Sequence, residues 1–202
     1  LFCQVLIETH LYVNSKKSNF AIHKRYPPNK IMPHILKNKN IEIHIDLPTE
    51  NYNSSRFDWT GKIVNVMFQN IQLASVESLT SKNKTQIGKG FYNEFGIDTA
   101  LGFNEAVIGD WFHKIGVGLL KKESEPYIFS ENHEIIPAEF QINHTPNALL
   151  IICIAALHNG YSYQLKKEIV IQENGFTINY NLENTGEKEI ITDEYVHNFT
   201  AI

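Results

Sequence analysis

Near the C-terminus the segment Ile190-Ile191-Thr192-Asp193-Glu194-Tyr195-Val196-His197-Asn198-Phe199 places chemistry-bearing side chains at a two-residue interval. As a strand, its alternate side chains fall on opposite faces, so Ile191, Asp193, Tyr195, His197 and Phe199 share one face and Ile190, Thr192, Glu194 and Val196 the other. A histidine between two aromatics suits a sugar: rings cover the apolar CH faces, and an imidazole gives or takes a proton near neutral pH. The competing reading is a half-buried strand whose histidine is hydrogen-bonded in a core.

Three further residues could contribute polar contacts. Arg56, within Arg56-Phe57-Asp58-Trp59-Thr60-Gly61, offers a guanidinium to hydroxyl groups, or else a surface pair with Asp58. Glu94, between Asn93 and Phe95, could accept sugar hydroxyls, or be a solvated loop carboxylate. His113 follows Trp111-Phe112 and could line the same site or serve packing. His44 and His158 read as solvent-facing, the first on the polar face of a strand and the second before a turn.

Other chemistries lack their residues. None of the nine histidines forms a His-x-His or His-x-x-x-His ligand pair on a suitable strand, so no metal site is expected. Gly-x-Ser-x-Gly is absent, and Gly88-Lys89-Gly90 is neither a phosphate-cradling loop nor a dinucleotide fingerprint. A net charge of -4 with scattered signs provides no basic face for nucleic acid or anionic lipid. The apolar run Leu149–Ala156 is too short to span a membrane and is flanked by His144, Asn147, His158 and Asn159. Cys153 within it reads as a buried thiol, since two cysteines make no disulfide framework, and the compartment stays open. The first residues, Leu1–Ile7, lack the basic start and small-residue cleavage pattern of a leader.

The elements that must position these residues are strands. Ile41, Ile43, Ile45 and Leu47 alternate with Glu42, His44 and Asp46 until Pro48. Further strands are expected on both sides of Gly61 within Arg56–Phe68, and over Ile71–Leu79, Lys114–Leu120, Tyr127–Ile136, Ala138–His144, Ala148–Leu157, Tyr161–Glu173, Gly175–Glu183 and Glu189–Phe199. Asn159-Gly160 and Asn174-Gly175 are hairpin signals. Residues 80–110, with five glycines among aromatic and acidic residues, read as a long loop folded over a site. Residues 1–40 read as an extended or loosely docked arm, and 41–202 as one domain. Many strands and almost no helical periodicity define an all-β chain, a large antiparallel β-sandwich.

Four blocks taken together resemble a divergent branch of the aldose 1-epimerase (galactose mutarotase-like) family: Arg56–Gly61, Asn93–Asp98, Lys114–Leu120 and Tyr195–Phe199. The resemblance covers roughly Ile41 to the C-terminus. It implies a β-supersandwich with a sugar cleft on its concave face, a small-molecule sugar as partner, and anomer interconversion without a cofactor. It also implies His197 as the general acid, with Val196 where the family often has Asn; beside it, Arg56, Glu94 and His113 remain the substrate-binding candidates read from the residues themselves. The family's base is a glutamate later in the chain than Ile202, so the sequence corresponds to the N-terminal two-thirds of such an enzyme and an incomplete sandwich is expected. The histidine-glycine block of galactose mutarotases is replaced here by Phe91-Tyr92-Asn93-Glu94-Phe95-Gly96, which leaves the sugar open. The rival expectation is a non-catalytic carbohydrate-binding or accessory sandwich.

Overall fold

A computed structural model describes residues 6–14, 34–81 and 86–201. Among them there is no α-helix; the chain is an all-β sandwich built mainly of antiparallel sheets. One sheet has the order β1 (Leu6–Asn14), β13 (Gly175–Asn184), β12 (Tyr163–Gln172), β11 (Ala148–Ile154), β10 (Glu139–Thr145). The second runs β14 (Glu194–Asn198), β6 (Phe91–Phe95), β4 (Lys62–Phe68), β3 (Ile41–Asp46), β2 (His34–Lys37), with the two-residue β5 (Ile71–Gln72) beside β4. A third, small sheet joins β7 (Trp111–Lys114), β8 (Gly118–Lys121) and β9 (Ile135–Pro137). All pairings are antiparallel except β1 with β13.

The period of two explains the layering. Ile41, Ile43 and Ile45 of β3 and Phe91 and Phe95 of β6 turn towards the first sheet, where Leu165, Ile169, Phe176, Ile178, Tyr180 and Leu182 meet them in one buried core. Phe91 meets Phe176 edge-on at 5.5 Å, and Phe95 meets Tyr180 at 5.6 Å. Cys153 is a free thiol sealed in that core, which pushes its pKa up. The opposite, outer face of the second sheet carries Tyr92, Glu94, Tyr195 and His197.

Several expectations are revised by the fold. Residues 80–110 are not one loop: Phe91–Phe95 is a completely buried strand between β14 and β4. Its alternation was masked because the core-facing position 93 is Asn, whose Nδ2 donates to Glu194 Oε1 at 2.7 Å. Glycines at its ends, Gly90 (φ +63°) and Gly96 (φ +63°), turn the chain into and out of the sheet, and a Cβ on Gly90 would lie 2.2 Å from the Ile63 carbonyl oxygen. The Ile71–Leu79 strand shrinks to β5 plus bridges at Ala74 and Val76, and Tyr127–Ile136 retains only its end in β9. Lys114–Leu120 is a hairpin corner: Gly116 (φ +81°) passes so close to Asp58 that a Cβ would sit 2.7 Å from the Asp58 Cβ. Asn159-Gly160 turns with positive φ at both residues, as its hairpin signal predicts. The second pair is offset by one: Gly175 already faces Gln172 within the ladder, and the loop residues are Glu173 and Asn174, held by Asn40 Nδ2. Within the stretch read as an arm, β1 pairs with β13 and β2 with β3, while residues 1–5 and 15–33 lie outside the described residues.

Candidate functional site

The antiparallel register sets Tyr195 opposite Glu94 and His197 opposite Tyr92, all four on the outer face of the second sheet. Along β14 the rings form a ladder: Tyr195 to His197 at 4.5 Å between centroids, and His197 stacked on Phe199 at 5.6 Å. Phe57 closes on the imidazole edge-on at 5.2 Å. Tyr195 is half exposed, whereas only 10% of the His197 side chain reaches solvent.

The structure joins three of the four residues singled out in the sequence. Glu94 Oε2 lies 3.0 Å from His197 Nε2 and accepts from Arg56 Nε at 3.1 Å. Arg56 does not pair with Asp58. Its Nη1 donates to Glu77 Oε2 (3.0 Å) and the Gln86 carbonyl (2.8 Å), and its Nη2 to Glu77 Oε1 (3.1 Å). The guanidinium also lies over the Phe57 ring at 4.4 Å. Glu94 is no solvated loop carboxylate: it is completely buried in β6.

Lys114 completes the charge balance. It projects from β7 to place Nζ 3.7 Å from Glu94 Oε1, beyond hydrogen-bond reach, while donating to the Gly96 carbonyl (3.2 Å) and the Tyr127 hydroxyl (3.0 Å). Burial lowers its pKa to about 8 against the opposing pull of Glu94 and Asp193. For Glu77, burial would raise the carboxyl, but the Gly88 amide and the Arg56 guanidinium outweigh it and hold it below the usual range.

His113 stands apart. Being the residue before Lys114 on the same strand, it points to the opposite face, among Tyr163 (5.7 Å), His158 (6.4 Å) and Tyr161 (6.5 Å). It is buried, neither ring nitrogen makes a hydrogen bond of good geometry, and burial lowers its pKa to about 4. His44 and His158 are each about a quarter exposed rather than free in solvent: His44 Nε2 lies 2.6 Å from Glu42 Oε1, and His158 Nε2 lies 3.4 Å from Asp110 Oδ1.

Asp58, considered in the sequence only as a partner for Arg56, anchors a separate buried network between the sheets. It accepts from Tyr180 Oη (2.6 Å) and the Thr60 amide (2.6 Å), and Lys167 Nζ sits 3.6 Å away while donating to the Gly61 carbonyl. Glu77, Gln86 and Lys114 were not recognisable as site residues beforehand. Glu77 lies in a stretch with little strand structure, and Lys114 is identified only by its alternation with His113. No group of three or more His, Cys, Asp or Glu able to hold a metal occurs among the described residues.

The chemical capacity of the cluster follows from the carboxylate's acceptor-only character. Glu94 fixes the His197 tautomer with the proton on Nε2, which leaves Nδ1 as the nitrogen that exchanges a proton: an acceptor in the neutral ring, a donor in the charged one. Beyond Tyr92 on the same face, a cavity of about 790 Å³ opens. No protein-family model matches the chain, and no curated protein or solved structure matches it.

Proposed function

We propose that the protein interconverts the anomers of a carbohydrate, as the resemblance to aldose 1-epimerases implies, on a galactose mutarotase-like sandwich. The observation that carries the reading is His197, held by the buried Glu94, which Arg56 fixes in turn, and flanked by the Tyr195 and Phe199 rings. A sugar lying against Tyr195 receives a proton from His197 on its ring oxygen while a base removes the anomeric hydroxyl proton. The C1–O5 bond opens to the aldehyde, which rotates and recloses on its other face, returning both protons. Glu94 orients the imidazole and is not that base, because its carboxylate is fully enclosed. The reaction needs no cofactor.

A second reading, a non-catalytic carbohydrate-binding sandwich, is favoured by one observation. The Arg56 guanidinium is engaged by Glu77, Glu94 and the Gln86 carbonyl, leaving little of it for a substrate. Following freshly dissolved α-glucose and α-galactose by polarimetry with the intact gene product separates the two. Acceleration of equilibration supports the epimerase; sugar-induced NMR shifts in Tyr195 and His197 without acceleration support the binding module.

A further inference from the structure

The cavity beside the ladder has a built polar floor. Tyr92, the cross-strand partner of His197, forms one wall, and Tyr52, whose ring lies 6.0 Å from that of Tyr92, continues it. Asp46, only 5% exposed, accepts from Asn51 Nδ2 at 3.0 Å and lies across the ladder from the buried Lys62. Asn65 contributes a side-chain oxygen that is buried and has no hydrogen-bond partner, and Gln72 a further amide. The charged groups of this wall have partners within the protein: Asp46 accepts from Asn51 and feels the attraction of Lys62, and His44 pairs with Glu42. Lys89 at the rim lies in solvent.

Aromatic and aliphatic walls with amides and a carboxylate as hydrogen-bond partners describe a site for a polyol with apolar CH faces. The unpaired Asn65 oxygen calls for a donor such as a hydroxyl. We propose that this cavity is a subsite for a second sugar unit, so that the substrates of the site are oligosaccharides presenting their reducing-end ring to His197. This deepens the epimerase reading and rests on it. The geometric support is that the cavity begins at the residue directly opposite His197, on the same face of adjacent strands about 4.8 Å apart. One ring on the ladder and the next in the cavity thus fall on neighbouring strands.

The test is a titration of isotope-labelled protein with glucose, maltose and cellobiose, read as chemical-shift changes at Asn65 and Tyr92 and as affinity. A disaccharide is expected to bind at least tenfold more tightly than glucose and to move Asn65 and Tyr92 signals that glucose leaves in place. Asn65→Leu is expected to remove at least tenfold of disaccharide affinity without lowering the urea midpoint, because it replaces an unpaired buried acceptor with an apolar group of similar size. Equal affinity for glucose and both disaccharides overturns the proposal, as does disaccharide binding that leaves the Asn65 and Tyr92 signals unmoved or survives Asn65→Leu. A fall in urea midpoint for Asn65→Leu also counts against it, giving Asn65 a packing role; Gln72→Ala, at the short strand β5, is the second variant for the affinity measurement. Tight disaccharide binding at these residues without anomerisation would refute the epimerase reading alone; anomerisation of glucose without disaccharide preference would refute the subsite alone.

Discussion

Replacing His113 with phenylalanine should reduce the protein's loss of stability between pH 7 and pH 5 by about 2 kcal/mol. In the folded chain this imidazole has its pKa lowered to about 4 by burial, against the opposing pull of the His158 and Tyr161 carbonyls, whereas in the unfolded chain it returns to its ordinary value of 6.5. The folded state therefore disfavours the proton that the unfolded state accepts. The resulting stability is intact above about pH 6.5 and is lost as the pH falls towards 4. The difference between these values corresponds at most to roughly 3 kcal/mol, and the portion lost between pH 7 and pH 5 is about 2 kcal/mol. Phenylalanine preserves the aromatic contact with Tyr163 and carries no proton. Urea denaturation of both proteins at pH 7 and pH 5, followed by tryptophan fluorescence, measures the difference directly. The variant should lose about 2 kcal/mol less than the parent over that interval, with an unchanged denaturant slope. An equal loss in the two proteins would show that His113 is not buried neutral, and would reopen its assignment as a sugar contact.

The other buried charges make comparable predictions. Asp58→Asn leaves Lys167 without its carboxylate partner and weakens the bonds from Tyr180 and the Thr60 amide, so urea denaturation should show a loss of about 3–5 kcal/mol. In Gly88→Ala the new Cβ would fall 2.2 Å from the Phe199 ring and 3.0 Å from Phe57. A loss of about 1–3 kcal/mol should accompany shifted ring resonances along the His197 ladder. Lys114, with its pKa lowered to about 8, disfavours its own charged form in the folded state. Its contribution should thus make stability rise by up to about 2 kcal/mol from pH 7.5 to 9.5, and Lys114→Met should lessen the rise seen in pH-dependent urea titrations by that amount, leaving the similar contribution of the buried Lys62 in place.

Much of this fold could be read from side-chain alternation. Ile41–Asp46 and Phe176–Leu182 announce one apolar face each, and the ring ladder of Tyr195, His197 and Phe199 lies where a period of two puts it. Alternation fails where a polar side chain occupies a core-facing position with a distant partner. Asn93 hid β6 because its satisfaction by Glu194 comes from 101 residues away, and Glu94 consequently read as a loop carboxylate. The same limit applies to Arg56. A guanidinium beside Asp58 in sequence suggests a local pair, yet the geometry sends Arg56 to Glu77 and Glu94, and Asp58 to Tyr180 and Lys167. His197, Glu94 and Arg56 were each visible as residues, but their meeting around one carboxylate oxygen depends on the register between β14 and β6, which no local pattern encodes.

Central to the proposed chemistry is His197 as the group that exchanges a proton with the sugar. The most direct measurement is the anomerisation rate, kcat/KM for α-glucose and maltose by NMR, for the intact gene product and its His197→Ala variant, with urea midpoints measured alongside. A fall of about 10²- to 10⁴-fold in the variant, with cooperative unfolding retained, is the expected result. An unchanged rate, or a protein that loses stability but not turnover, would place His197 among the packing residues of β14 and contradict the proposed chemistry.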